Sequence, residues 1–166
     1  WPLWAVDANL PEAGIGALAA AAPKDVRLAA LAVSPAKAPR LTPHLGRFDM
    51  LFANRSEAAA LLDEPVETAA EALAAADNLR AMGPNMVFVT LGEEGVALAT
   101  QDACEIYPAP LCNVVSVNGA GDAFAAGVMA AQLKGAPLAE AVERGLAAAS
   151  LTAASADTCS AALGTA

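Results

Sequence analysis

Short apolar runs alternate with alanine-rich runs along most of this chain, and this alternation limits the folds open to it. The apolar runs have the length of buried strands, at residues 3–8, 26–33, 49–53, 86–91 and 111–117. Alanine-rich runs of helical length separate most of them. Neighbouring parallel strands need a long crossover connection, which is usually a helix. The order therefore predicts an α/β fold with three α/β/α layers around a mostly parallel sheet.

Capping residues indicate where the predicted helices begin. Asn54 is expected to cap a helix that carries Glu57 in its first turn. Thr68 stands three residues before Glu71, which is the spacing of a capping box. Ser34-Pro35 predicts a short helix that runs toward residue 41. The remaining predicted elements are a helix at 11–22, a hairpin at 96–100 and 104–107, and helices at 121–134 and 137–155.

The composition argues against several classes of partner. The chain has 166 residues, 57% of them hydrophobic, which fits a single α/β domain over residues 1–166. Its formal net charge is −9, so its surface is poorly suited to neutralising nucleic acid or anionic lipid. The uncharged tract 145–156 is short and rich in Ala, Ser and Thr, and we expect a buried helix there and no membrane span.

The cysteines and the start of the chain bear on its location. Cys104, Cys112 and Cys159 form no Cys-x-x-Cys pair, so we expect reduced, mostly buried thiols in a cytoplasmic protein. The start lacks a basic segment followed by an apolar one, and no signal peptide is predicted. The chain begins at Trp1 and enters a strand directly, so we expect it to be cut from a longer one.

A glycine-rich turn with an aspartate follows the last predicted strand. It reads Asn118-Gly119-Ala120-Gly121-Asp122 and leads into an alanine-rich helix. Glycines let the backbone approach an anion closely, and the free N–H groups of a helix start favour negative charge. The turn is therefore suited to phosphoryl transfer, with Asp122 as a candidate base. The alternative is an ordinary carboxylate that the helix dipole stabilises.

Two better-known phosphate-binding motifs do not fit this turn. A dinucleotide fingerprint would need a third glycine where Phe124 stands. A Walker loop would need Lys-Ser or Lys-Thr where Asp122 and Ala123 stand. Both motifs are rejected.

The segment 118–127, Asn-Gly-Ala-Gly-Asp-Ala-Phe-Ala-Ala-Gly, resembles the signature of the ribokinase-like, phosphofructokinase-B family of carbohydrate kinases. Residues 54–57, Asn-Arg-Ser-Glu, are similar to the family's Asn-x-x-Glu, and residues 89–96 are similar to its Thr-x-Gly-x-x-Gly segment. Three motifs in family order are much more specific than any one alone. The resemblance covers the C-terminal half of a typical member, so the N-terminal half and the lid are expected to be missing.

The resemblance implies roles for the candidate residues. Asp122 would accept the proton of the attacking hydroxyl, and the backbone N–H groups of Gly119, Ala120 and Gly121 would hold the transferring phosphoryl. Asn54 and Glu57 would hold water around Mg²⁺, a cation that takes few protein ligands. Without the companion motifs, these two residues would read as an ordinary helix cap. The residues implied to bind ATP are Thr90, Gly92, Gly95, Asn118 and Lys37, although the two glycines also fit a plain hairpin turn.

Two segments suggest a subgroup. Residues 7–11 and 33–37 resemble the strand ends of pseudouridine kinases, where Lys37 would meet a phosphate; the alternative is a solvated helix lysine. Ser116 and Val117 stand where the family often has Asp-Thr, and in many members that Asp helps bind a monovalent cation. Activation by such a cation is therefore in doubt.

The resemblance thus predicts an ATP- and Mg²⁺-dependent kinase that phosphorylates a hydroxyl of a small sugar or nucleoside, with pseudouridine preferred. One alternative is a nucleotide-binding fragment without turnover. Another is a kinase for ribose, fructose or adenosine. No nucleic acid or membrane partner is expected, and a homodimer is left open.

Overall fold

Strands and helices alternate over the first ninety residues, as the sequence predicts. The computed structural model describes residues 2–155. The elements are, in chain order, β1 (Leu3–Asp7), α1 (Glu12–Ala21), β2 (Arg27–Leu31), a 3₁₀ helix (Ala38–Arg47), β3 (Met50–Asn54), α2 (Arg55–Leu62), α3 (Ala69–Ala81), β4 (Met86–Thr90), a 3₁₀ turn (Gly92–Glu94), β5 (Val96–Thr100), β6 (Cys104–Tyr107), α4 (Ala120–Leu133) and α5 (Leu138–Ala153).

The strands form one sheet in the order β1-β2-β3-β4-β5-β6. The first four run parallel, with Asp7 opposite Leu31 and Asn54 opposite Thr90 at their carboxyl ends. The links that join β4 to β5 and β5 to β6 are too short for a parallel crossover, so these neighbours run antiparallel. The predicted α/β fold with a mostly parallel sheet is confirmed.

The chain divides into two compact units. The first comprises the residues up to Leu91 together with Ala97–Ile106, and the second comprises Gly92–Val96 and the chain from Tyr107 onward. The first unit holds most of the sheet with α1, α2 and α3, and the second holds α4 and α5. No helix within residues 2–155 is long and apolar enough to cross a bilayer.

The core of the first unit lies on one face of the sheet. Alternate strand residues belong to it because successive side chains of a strand point to opposite faces. These strand residues are Val6, Leu28, Ala30, Leu51, Ala53, Val87, Val89, Ala97 and Ala99. Ile15, Leu41, Leu61 and Leu79 from the helical segments pack into the same cluster. On β3 and β4, the rings of Phe52 and Phe88 stack with centroids 4.7 Å apart.

The second unit depends on a close approach of α4 and α5. A Cβ added at Gly127 would lie 2.8 Å from the Cα of Gly145, and one added at Gly145 would lie 2.7 Å from a methyl carbon of Val128. Separations this short are sterically forbidden, so both positions require glycine. The absence of two side chains lets the helix backbones meet.

The predicted strand at 111–117 is wrong. These residues form no strand, and Leu111 and Val117 are 105% and 75% exposed. The N–H groups of Val115 and Ser116 both donate to the carbonyl oxygen of Ala153, at 2.7 and 3.0 Å. The segment thus satisfies these backbone donors at the end of α5 and has no strand partner to cover its apolar side chains. An apolar run alone does not determine strand structure.

The expected helix at Ser34-Pro35 is also wrong at its start. The helix begins at Ala38 and is of the 3₁₀ type. Pro39 and Pro43 lie within it and have no N–H to donate to an α-helical ladder. Before it, Ser34 N donates to Ala32 O at 2.8 Å, which forms a tight turn around Val33.

The expectation of mostly buried thiols fails for the two cysteines that can be checked. Cys104 and Cys112 are exposed. Cys104 lies on β6, one of the two edge strands of the sheet, and Cys112 lies in the irregular segment that follows. Cys159 lies outside the described residues.

Candidate active site

The carboxyl ends of β3 and β4 bring two predicted site residues side by side. Asn54 and Thr90 are the last residues of these parallel strands and lie opposite each other in register. The Thr90 hydroxyl faces the Ala53 carbonyl oxygen at 3.4 Å. Ligands of α/β sheets bind beyond the carboxyl ends of the strands, and both residues are at that edge.

Asn54 and Glu57 form a complete capping box at the start of α2. Asn54 Oδ1 accepts from the N–H of Glu57, and Glu57 Oε2 accepts from the N–H of Asn54, both at 2.9 Å. Asn54 is exposed, whereas Glu57 is only 7% exposed. The two side chains are therefore held in fixed positions before any ligand binds.

These two residues fit a magnesium site that relies on water. Within residues 2–155, no group of three His, Cys, Asp or Glu residues could cage a metal ion. Mg²⁺ usually keeps several waters and binds one or two carboxylates plus substrate phosphates, so a full cage is not required. The Asn54 side-chain oxygen has a second lone pair besides the one in its backbone hydrogen bond, which suits it to hold a metal-bound water.

Lys37 lies at the carboxyl edge near the first strand. Its Nζ donates to Asn9 Oδ1 at 2.6 Å. The N–H of Asn9 in turn donates to Asp7 Oδ1 at 2.8 Å, which ties the loop after β1 to the last residue of that strand. Lys37 is half-buried, although its hydrogen bond to Asn9 is exposed, so its contact with a phosphate stays a prediction.

Arg40 is a residue that sequence reasoning missed. Its Nη1 lies 3.0 Å from the Ala8 carbonyl oxygen and 3.3 Å from those of Asn9 and Leu10. These contacts join residues about thirty positions apart in the chain. The sequence around Arg40 carries no motif that could have revealed them.

The second unit presents the glycine turn as an open helix start. Gly119 caps α4 with φ of +78°, a left-handed conformation that favours glycine. A Cβ added at Gly121 would meet nothing within 4 Å, so the backbone there is accessible from outside. Asp122 lies in the first turn of α4 and is exposed. The N–H groups of a first helical turn lack intrahelical acceptors and can bind an anion, although the Ala120 N–H makes a long bond of 3.4 Å to the Val117 carbonyl oxygen.

Gly92 and Gly95 both have a backbone conformation that favours glycine, but only Gly95 lacks room for a side chain. Both have positive φ, +67° and +107°. Gly92 is exposed, and a Cβ there would meet nothing within 4 Å. At Gly95 a Cβ would lie 1.9 Å from the carbonyl oxygen of Tyr107, so chain packing alone accounts for this glycine.

The sequence as a whole matches a known family. The family described as pfkB family carbohydrate kinase matches residues 5–164. The chain belongs to the pfkB family. All three motifs described above lie within the matched range.

Relatives of this pfkB-family chain include sugar kinases. It is 42% identical over 93 residues to the 1-phosphofructokinase of Haloferax volcanii, covering 56% of this chain and 30% of that enzyme. The structure of a carbohydrate kinase from Agrobacterium tumefaciens superposes with a TM-score of 0.78 and 36% identity, covering 95% of this chain and 50% of that one. Arabidopsis thaliana ribokinase, solved with ribose and ATP, gives a TM-score of 0.82 at 24% identity, covering 96% and 53%.

These matches cover nearly all of this chain but only part of each solved structure. The chain spans about half the length of the solved structures it matches. The ribokinase-like fold is shared over nearly all of this chain, and its six-stranded sheet belongs to that shared portion.

Proposed function

We propose that this protein transfers the γ-phosphoryl group of ATP to a hydroxyl of a sugar or nucleoside. The observation that carries the proposal is the first turn of α4. There a left-handed Gly119, an open Gly121 and an exposed Asp122 follow one another within a pfkB-family match. This turn offers an anion site and a carboxylate on adjacent residues.

Asp122 acts as the base in the proposed step. The acceptor O–H loses its proton to the Asp122 carboxylate as its oxygen bonds to the γ-phosphorus. The bond between that phosphorus and the oxygen bridging to the β-phosphorus breaks, and ADP leaves. Such transition states are loose and charge-rich, so positioned N–H donors and a positioned base are the main contributions that a protein makes. Gly119, Ala120 and Gly121 supply those donors.

The remaining candidates are assigned to ATP and its metal ion. Asn54 and Glu57 would hold waters of Mg²⁺, and the metal ion would neutralise phosphate charge. Thr90, Gly92 and Asn118 border the nucleotide, and Lys37 contacts a phosphate. Gly95 shapes the turn that presents Gly92. The half-buried position of Lys37 and the fixed capping oxygens of Asn54 and Glu57 support these assignments.

The acceptor is proposed as a small polyol. Residues 7–11 and 33–37 resemble the strand ends of pseudouridine kinases, which keeps pseudouridine as the preferred nucleoside. The names of the relatives, 1-phosphofructokinase and ribokinase, favour a sugar or sugar phosphate. Nucleosides and sugars or sugar phosphates should therefore both be tested as acceptors.

The test is a kinase assay on the full-length protein with pseudouridine, ribose, fructose 1-phosphate, fructose and adenosine. Asp122→Asn should lower kcat about 10²- to 10⁴-fold while ATP binding by calorimetry is retained. Glu140→Gln is the matched control, because Glu140 is the first-turn carboxylate of α5. Its kcat should stay within about twofold of wild type, since no catalytic role is assigned to it.

Two outcomes would overturn the proposal. Full activity of Asp122→Asn would show that Asp122 is not the base. ATP binding without phosphorylation of any acceptor in the panel would favour a nucleotide-binding protein without turnover.

A further inference from the structure

Arg40 connects the 3₁₀ helix to the loop that follows β1. One guanidinium nitrogen, Nη1, faces the carbonyl oxygens of Ala8, Asn9 and Leu10 at 3.0 to 3.3 Å. The positive charge is thus directed at the negative ends of three consecutive peptide dipoles. The contact with Ala8 is part-buried and those with Asn9 and Leu10 are exposed, so water screens the first contact less than the other two.

The same loop holds Lys37 through Asn9. The Asn9 side chain accepts from Lys37 Nζ at 2.6 Å, its N–H donates to Asp7 Oδ1, and its carbonyl faces Arg40. Asn9 is therefore fixed at three points although it is exposed. Residues three apart eclipse in a 3₁₀ turn, and Arg40 N donates to Lys37 O at 3.0 Å. Both cationic side chains accordingly leave the chain on the same side and reach one loop.

We propose that Arg40 is a positioning residue that holds the Lys37 ammonium ready for a phosphate of ATP. It acts by fixing the backbone of Asn9, whose side chain carries Lys37. Its charge also offsets three carbonyl oxygens that would otherwise lie unneutralised beside an incoming anion. The inference rests on the proposed function, in which Lys37 contacts phosphate.

Arg47 provides a matched control on the same helix. Its Nη2 donates to the carbonyl oxygens of Ala22 and Pro23 at 3.2 and 3.1 Å, which follow the other end of α1. Arg47→Met therefore removes the same kind of contact as Arg40→Met but leaves the loop with Asn9 intact. A loss of affinity caused only by a weaker fold would appear in both variants.

The experiment measures binding of ATP and of inorganic tripolyphosphate to the full-length protein by calorimetry. Lys37→Met should raise both dissociation constants about tenfold, the size of one lost charge-assisted hydrogen bond. Arg40→Met should raise them about three- to tenfold, while Arg47→Met should change them less than about twofold. Arg40→Lys keeps a charge that reaches the carbonyls and should recover most of the affinity. In a kinase assay, Arg40→Met should raise the KM for ATP with kcat within about twofold.

A double variant decides whether Arg40 acts through Lys37. If it does, Lys37→Met with Arg40→Met should bind tripolyphosphate about as weakly as Lys37→Met alone. Additive losses, or equal losses in Arg40→Met and Arg47→Met, would overturn the inference and leave the proposed function standing. If the wild-type protein does not bind tripolyphosphate, the proposed phosphate site at Lys37 is wrong. If Arg40→Met does not fold, Arg40→Gln, which removes the charge but keeps an N–H donor, gives the same comparison alone and with Lys37→Met.

Discussion

Asn54 and Thr68 begin successive helices with the same reciprocal hydrogen bonds. Asn54 exchanges them with Glu57 at 2.9 Å in both directions, and Thr68 exchanges them with Glu71 at 2.9 and 3.1 Å. Only the first pair lies at the carboxyl edge of the sheet, where Asn54 faces Thr90. The two capping boxes are thus alike in structure and different in proposed function.

Asn54→Ala and Thr68→Ala should separate capping from magnesium binding. Each loses an N-cap oxygen, so each should lower the free energy of unfolding by about 1 kcal/mol in urea denaturation. Asn54→Ala alone should also raise the Mg²⁺ concentration that gives half-maximal kinase activity. An equal Mg²⁺ effect from Thr68→Ala would contradict a specific role for Asn54.

Glu71 should make folding stability depend on pH. Hydrogen bonds from the backbone N–H groups of Thr68 and Glu67 lower its pKa from the ordinary value of 4.5. A carboxylate whose pKa is lowered by folding stabilises the fold above its unfolded-state pKa. That contribution is lost as the pH falls through the folded-state value.

Urea denaturation of wild type and Glu71→Gln at several pH values checks this effect. Wild type should be more stable at pH 7, and the difference should shrink as the pH falls below about 4.5. Glu67→Gln is the control, because Glu67 contributes only its backbone N–H to this contact. A difference that stays constant down to pH 3 would show that the charge of Glu71 is not the cause.

Val33 should be a site where stability can be gained. Its φ is +66°, and Ser34 N donates across it to Ala32 O, which makes a γ-turn of the rare, strained type. A β-branched residue is unfavourable in this conformation. The side chain is 41% exposed, so little packing is lost by replacing it.

Val33→Asn should therefore raise the free energy of unfolding by about 1 kcal/mol, since Asn tolerates positive φ and the strain costs about 1–3 kcal/mol. Val33→Ala is the matched control, because it removes the branch but keeps a Cβ. A smaller gain is expected from it. If both variants raise the free energy of unfolding equally, the strain comes from the branched side chain and not from the positive φ.

Local signals explain which parts of the fold could be predicted from the sequence. The capping boxes at Asn54 and Thr68 use residues three apart, so their spacing is visible in the sequence. The glycine turn at 118–122 is equally visible, because it consists of consecutive residues, and Gly119 has positive φ.

The features that escaped prediction depend on contacts between distant residues or on conformations the residue type disfavours. Arg40 meets a loop about thirty positions away, and nothing near it in the sequence specifies that contact. Val33 gives no indication of positive φ, because valine avoids it. The run 111–117 has the composition of a buried strand, yet its N–H groups at 115 and 116 bond to α5, which its own sequence does not encode.

The glycines of α4 offer a final test, because Gly121 and Gly127 lie in the same helix with opposite surroundings. A Cβ at Gly121 would meet nothing within 4 Å, whereas one at Gly127 would lie 2.8 Å from Gly145 Cα. Gly127→Ala should therefore lower the free energy of unfolding by about 1–3 kcal/mol through overpacking. Gly121→Ala should leave it unchanged or raise it by at most about 1 kcal/mol.

The effect on kcat should be the reverse, with a larger loss in Gly121→Ala than in Gly127→Ala. A methyl group at Gly121 would stand where the backbone is proposed to approach the transferring phosphoryl, so kcat should fall without any loss in the free energy of unfolding. In Gly127→Ala, kcat per folded molecule should remain within about twofold of wild type below the unfolding transition, since no contact with a ligand is assigned to it. Full activity of Gly121→Ala would mean that the open backbone at this position does not bind the phosphoryl, because its added Cβ has no protein neighbour to displace it.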